Sequence, residues 1–135
     1  MKYNVDKNEK YTVFTLQEKN LNSLRAPDLK SEFVILVNEG VENMILDLSE
    51  VSYVDSSGLS AILTADRLWK SIVSFILTGL DHPNVKKLIE ISRLDSILTI
   101  IPTLEESIEY VFMEAIEREL SAEESEDEYQ VTIFI

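Results

Sequence analysis

Residues 45–63 read Ile45-Leu46-Asp47-Leu48-Ser49-Glu50-Val51-Ser52-Tyr53-Val54-Asp55-Ser56-Ser57-Gly58-Leu59-Ser60-Ala61-Ile62-Leu63, and their hydrophobic period changes midway. Met44, Ile45, Leu46 and Leu48 form a short, nearly continuous apolar run, as expected of a strand buried on both faces in a partly parallel sheet. After Val54 come three small polar residues and a glycine, the set that caps helices and permits unusual backbone angles. Leu59, Ile62, Leu63 and Trp69 then recur at three-to-four spacing. A strand, a turn and a helix beginning at Ser56 or Ser57 are therefore predicted, with Ser57 on or just inside the helix N-terminus.

That position has a chemical consequence. Helix N-termini carry free N–H donors and the positive end of the helix dipole, so a phosphate placed there is accommodated without rebuilding the fold. Phosphorylation adds a charge of about −1.5 to −2 and three acceptor oxygens. Asp55 contributes a like charge, which directs an added phosphate outward. Such a site suits a switch read by the surface of a partner.

Upstream, Tyr3 and Val5, then Tyr11, Val13 and Leu16, nearly alternate around the short polar connection 6–10, which predicts an N-terminal hairpin. Phe14 breaks the alternation. Residues 20–24 read as a loop. Leu29, Phe33, Leu36 and Val37 fall at helical spacing, with Lys30, Glu32 and Glu39 on the outer face and Gly40 where a helix C-terminus favours a left-handed residue.

Downstream, the motif helix is expected to run to about Lys70. Ser74–Thr78 follows as a strand ending at Gly79, and strand, helix and strand in succession imply a right-handed crossover. Asp81-His82-Pro83-Asn84 opens a third helix, with Pro83 at an early position. Ile97, Leu98, Ile100 and Ile101 form a last strand closed by Pro102. Thr103 and Glu106 have capping-box spacing, and the apolar stripe behind them reaches Leu120. At about 1.5 Å per residue this last helix extends roughly 27 Å, enough to outrun a small sheet.

The composition changes from Ser121 to Glu128, which is acidic and poor in apolar groups, and Val131-Thr132-Ile133-Phe134-Ile135 is strand-prone. The expected division is a domain of residues 1–120 and an acidic tail of 121–135. The strand-prone end offers addition to an exposed sheet edge of its own body, of a second copy in self-association or of a partner, against the plainer alternative of a frayed terminus.

The motif resembles that of the STAS domain family, the anti-sigma factor antagonists, in which a hydrophobic strand leads into Asp-Ser-Ser-Gly-Leu at the start of a helix. The resemblance covers roughly residues 1–115 in element order, and only this stretch is a specific motif. It implies an α/β fold: a STAS-like mixed β-sheet with an N-terminal hairpin and about four helices packed on it. It also implies that Ser57 is the phosphorylated serine and that Asp55, Ser56, Gly58 and Leu59 complete the motif. The loop before the first helix borders the family's kinase-binding face, which makes Asn22 and Ser23 candidate contacts. The implied partners are an anti-sigma factor serine kinase, bound while Ser57 is unmodified, and a serine phosphatase that restores it. One departure from the family is Ile72-Val73, where a glycine usually separates the motif helix from the next strand.

Composition narrows the remaining classes. The 135 residues fit one domain. There is no cysteine and one histidine, His82, so disulfides, thiolate sites and the usual zinc ligand set cannot be assembled from this chain alone. No cofactor is expected. Ser57, His82 and Asp55 or Asp81 offer the residue types of a hydrolase triad, but no Gly-x-Ser-x-Gly elbow accompanies them. His82 reads better as a helix cap or surface residue.

The net charge of −13 is unevenly distributed, because from Glu105 onward 11 of the 25 acids stand against one of the 12 bases. That leaves a nearly balanced body at −3 and disfavours nucleic acid and anionic membrane as partners, since both rest on basic patches. Lys86, Lys87 and Arg93, the one local basic cluster, read as a solvated helix face. No segment has signal-peptide or membrane-spanning character, and a cytoplasmic location is expected. The sequence thus points to a binding module acted on by enzymes. The alternative is a STAS-type subunit of a transporter-accessory or signalling scaffold complex, its serine unmodified.

Overall fold

Alternation within single strands divides the side chains between two packed layers. In the computed structural model, which describes the backbone of residues 1–134 and the side chains of residues 1–122, a five-stranded sheet has the order β1-β2-β4-β6-β7. Its strands are β1 (Tyr3–Lys7), β2 (Thr12–Leu16), β4 (Asn43–Asp47), β6 (Ser74–Thr78) and β7 (Thr99–Ile101). The hairpin β1–β2 is antiparallel, and β2, β4, β6 and β7 run parallel, with Ile45 facing Val13 on one side and Ile76 on the other. The mixed sheet inferred from the sequence is present.

Phe14, Leu16, Met44, Leu46, Phe75 and Leu77 face one layer, built from α1 (Ala26–Asn38), α2 (Ser56–Lys70) and α3 (Pro83–Ile91). Val13, Ile45 and Ile76 point the other way, onto Val111, Leu104 and Ile108 of α4 (Leu104–Phe134). Strand β2, second in the sheet, is covered on both sides, which explains the lapse in alternation at Phe14: Thr12, Val13 and Phe14 are all buried.

Aromatic packing fixes the far end of α2. Rings run Tyr3, Phe14, Phe33, Trp69 and Phe75 in sequence across the larger core, with centroids 4.9 to 6.2 Å apart. Trp69 Nε1 donates to the carbonyl of Val41 at 3.0 Å. A fully buried indole that also satisfies its N–H tethers the last turn of α2 to the turn before β4. The glycine missing at residues 72–73 is replaced by a short turn in which the Trp69 carbonyl accepts from both Ile72 and Val73. Gly40 has φ +93°, the left-handed residue expected after α1.

Three expectations need correction. Residues 20–24 are not wholly loop, because Asn20–Leu21 forms β3, which pairs in parallel with β5 (Tyr53–Val54) as a separate two-stranded sheet. The last core strand is shorter than the apolar run: Arg93 takes a left-handed conformation (φ 59°), a single 3-10 turn at Leu94–Ser96 follows, and only Thr99–Ile101 pairs with β6. Helix α4 continues through residues 131–134, where a strand-prone segment was expected, and Ile135 lies outside the described residues. Glu and Ala favour helix and no Gly or Pro stands between Leu104 and Phe134, so nothing local interrupts the run.

Candidate functional site

The β3–β5 sheet brings the motif and the loop before α1 together. The carbonyl of Lys19 accepts from Ser52 N at 2.8 Å and Tyr53 N at 3.1 Å, and the carbonyl of Leu21 accepts from Asp55 N at 3.2 Å. Two loops far apart in sequence are thereby latched at the entrance to α2.

At that entrance Asp55 is the N-cap. Its backbone is extended (φ −102°, ψ −173°), and its carboxylate Oδ1 accepts from Gly58 N at 2.9 Å. Aspartate is preferred there because it satisfies one donor that the helix leaves unpaired and adds a charge favoured by the dipole. The next donors along, the amides of Ser56 and Ser57, belong to the same unpaired set. Ser57 occupies the second residue of α2 and is half-buried, while Ser56 is exposed.

Gly58 has a steric role that its sequence neighbours do not disclose. A Cβ built there would collide with the carbonyl oxygen of Leu21 and lie 2.7 Å from Val54 Cγ1 and 2.9 Å from Leu21 Cγ. Only a residue without a side chain lets α2 start flush against β3. Leu59, the last residue of the motif, is half-buried and packs against the larger core. The motif therefore splits into structural residues (Asp55, Gly58, Leu59) and hydroxyls left at the surface.

Those hydroxyls line a shallow groove between the N-termini of α1 and α2, formed by Ser23, Pro27, Lys30, Ser56, Ser57 and Ser60, with Ala26 at its floor. Of the two loop residues proposed as contacts, Ser23 is brought to the motif serines. Asn22 is used locally: its Oδ1 accepts from Leu24 N at 3.1 Å and its carbonyl from Arg25 and Ala26 N–H. Lys30 and Ser60 were not singled out from the sequence. Ser60 lies three residues after Ser57, a helical spacing that could have been noticed. Lys30 reaches Ser60 from α1, donating from Nζ to Oγ at 3.1 Å, and no local signal announces it. Leu24 and Tyr53, 73% and 51% exposed, carry large apolar surface on the two latched loops.

His82 is the N-cap of α3, its Nδ1 accepting from Asn84 N at 3.2 Å. A neutral imidazole that accepts through Nδ1 carries its proton on Nε2, so it presents a donor where a hydrolase triad needs a base. Among the described residues no three His, Asp or Glu side chains are grouped to hold a metal ion, and no helix is long and apolar enough to cross a membrane.

Comparison with known proteins follows the same outline. A profile of the STAS domain matches residues 2–107. BtrV of Bordetella bronchiseptica, a candidate anti-sigma factor antagonist, is 28% identical over 100 residues, which is 74% of this chain and 85% of BtrV. The crystal structure of an anti-sigma factor antagonist from Mycobacterium paratuberculosis superposes with a TM-score of 0.74 at 20% identity, covering 82% of this chain and 92% of that one. The anti-sigma factor antagonist SpoIIAA, solved in its unphosphorylated form, superposes with a TM-score of 0.70 at 21% identity, over 82% of this chain and 96% of its own. Its phosphorylated form, from Bacillus, gives 0.64.

Proposed function

This chain belongs to the STAS domain family, and on that premise we propose that it is an anti-sigma factor antagonist whose binding to an anti-sigma factor serine kinase is controlled by phosphorylation of Ser57. The observation that carries the proposal is the place of Ser57: the second residue of α2, half-exposed, in an open groove, with the adjoining cap already supplied by Asp55. The names of the relatives support it as well, since SpoIIAA is known in both an unphosphorylated and a phosphorylated form.

The chemistry belongs to the partner enzymes. Ser57 Oγ attacks the γ-phosphorus of ATP, the new O–P bond forms as the β–γ bond breaks, ADP leaves and the hydroxyl proton passes to the base of the kinase. A phosphatase reverses the state by hydrolysis, with water returning serine and inorganic phosphate. The part played by this chain is to hold the hydroxyl at a rigid helix entrance and to present Leu24 and Tyr53 beside it as apolar contacts.

The switch works through desolvation. Added phosphate inserted into a packed interface must shed its water, and unless the partner supplies a basic pocket that cost exceeds what is recovered. The domain stays folded because the phosphate lies at its surface. The bound kinase would hold its sigma factor less well, so the unmodified chain frees that factor and the phosphorylated chain does not.

The test is phosphate transfer from ATP by candidate serine kinases of the source organism, followed by peptide mass spectrometry. One phosphate on Ser57, absent in Ser57→Ala, is expected. Transfer undiminished in Ser57→Ala would overturn the assignment.

A further inference from the structure

Lys30 is the one charged side chain lining the groove that holds Ser56 and Ser57. Lys30 is half-exposed, and its ammonium donates to a neutral hydroxyl, Ser60 Oγ, at 3.1 Å. Ser60 lies one helical turn beyond Ser57, and side chains three apart on a helix stand about 5–6 Å from each other at Cβ. The ammonium, on a flexible four-carbon stem with three donors, is therefore held within reach of whatever Ser57 carries.

We propose that Lys30 is the intramolecular counter-ion of a phosphoryl group on Ser57, leaving Ser60 to pair with the phosphate across the α1–α2 groove. This rests on Ser57 being the phosphorylated residue. The exchange is favoured because the Lys30–Ser60 bond is charged on the donor side only, whereas an ammonium facing a phosphate adds the attraction of opposite charges, and Ser60, exposed on α2, is resolvated when released. The Asp55 carboxylate, the nearest like charge along the chain, is committed to Gly58 N and repels the phosphate from its own side of the helix start.

The phosphate is thus drawn inward over the groove, not directed outward as the sequence alone suggested. Phosphorylation then changes two elements at once. It fills the groove beside Ser23 and Pro27, and it withdraws from an approaching partner the one cation that lines the groove. A partner that uses an acidic group against Lys30 loses that contact even where it tolerates the added bulk.

The test installs phosphoserine at position 57 of the full chain by genetic code expansion, so that no kinase is needed, and follows the second ionisation of the phosphate by 31P NMR titration. An ammonium paired with the dianion lowers that midpoint. The midpoint is expected to rise by about half a unit or more in Lys30→Met, to return in Lys30→Arg, and to stay low in Ser60→Ala. Equal midpoints in the unsubstituted chain and Lys30→Met, with both folded by circular dichroism, would overturn the proposal. Failure of the Ser57 assignment itself would show elsewhere, as absence of kinase-catalysed transfer to that residue.

Discussion

The behaviour of the site depends on single atoms at the start of α2. Gly58 is the sharpest case, because alanine there gains about 1 kcal/mol of helix propensity but drives a methyl group into the Leu21 carbonyl and the Val54 side chain. Overpacking against backbone costs about 1–3 kcal/mol, so Gly58→Ala is expected to be less stable by about 1–2 kcal/mol in urea denaturation. An increase in stability would show that α2 does not start against β3. The sequence disclosed the cap and the place of Ser57, since capping chemistry is local: Asp55 must be followed by its own amide donors. It could not disclose Lys30, whose approach to Ser60 is set by how α1 packs on α2. Nor could it show that Gly58 is required by Leu21, 37 positions away.

At the scale of elements, α4 divides where the sheet ends. Val111 is buried beneath the sheet, while Phe112, Met113, Ile116 and Leu120 are exposed, the last two at 50% and 53%. Periodicity reported an apolar stripe of one kind along the whole helix, because a pattern states which residues share a face and not whether anything covers it. The Thr103 cap was legible, and its Oγ accepts from Glu106 N at 3.1 Å. Val111→Ala is expected to cost about 0.5–3 kcal/mol and Ile116→Gln less than about 0.5, a contrast measurable by thermal melts of the two variants. Equal losses would mean that the outer turns of α4 are packed in solution.

The inner turns also carry a pH signature. The Tyr110 phenol is raised above its usual 10.0, first by burial and then by hydrogen bonding to the Glu114 carboxylate. The folded chain therefore holds that proton more tightly than the unfolded one. The resulting stabilisation is fully present below about pH 10 and is lost as pH rises through the folded value. Stability should fall more steeply between about pH 9 and 11 in the unsubstituted chain than in Tyr110→Phe, and identical slopes in chemical denaturation would contradict it. Strand placement was legible where burial is two-sided, as in β4 and β6. It was blurred at β7, where the amides of Ile97 and Leu98 bond back to the Leu94 carbonyl of the preceding 3-10 turn and leave only Thr99–Ile101 to pair with β6. The pair β3–β5 was invisible because two residues carry no period.

Across the whole molecule the parts are arranged so that the sheet is packed on both faces and one end is left open. Three helices and an aromatic chain hold one side of the sheet, α4 covers the other, and the β3–β5 latch presents Ser23, Leu24, Tyr53 and the motif serines at one end. The acidic excess is concentrated from Glu105 onward, away in sequence from the segment that carries Ser57. On this account phosphate at Ser57 alters recognition and leaves folding intact. The most direct measurement compares the affinity of the cognate serine kinase for the unmodified chain and for the chain with phosphoserine at position 57, by isothermal titration calorimetry, with circular dichroism on both. Identical spectra are expected, with binding weaker by about a hundredfold or more in the modified chain. Equal affinities, with the phosphate verified on Ser57, would contradict it.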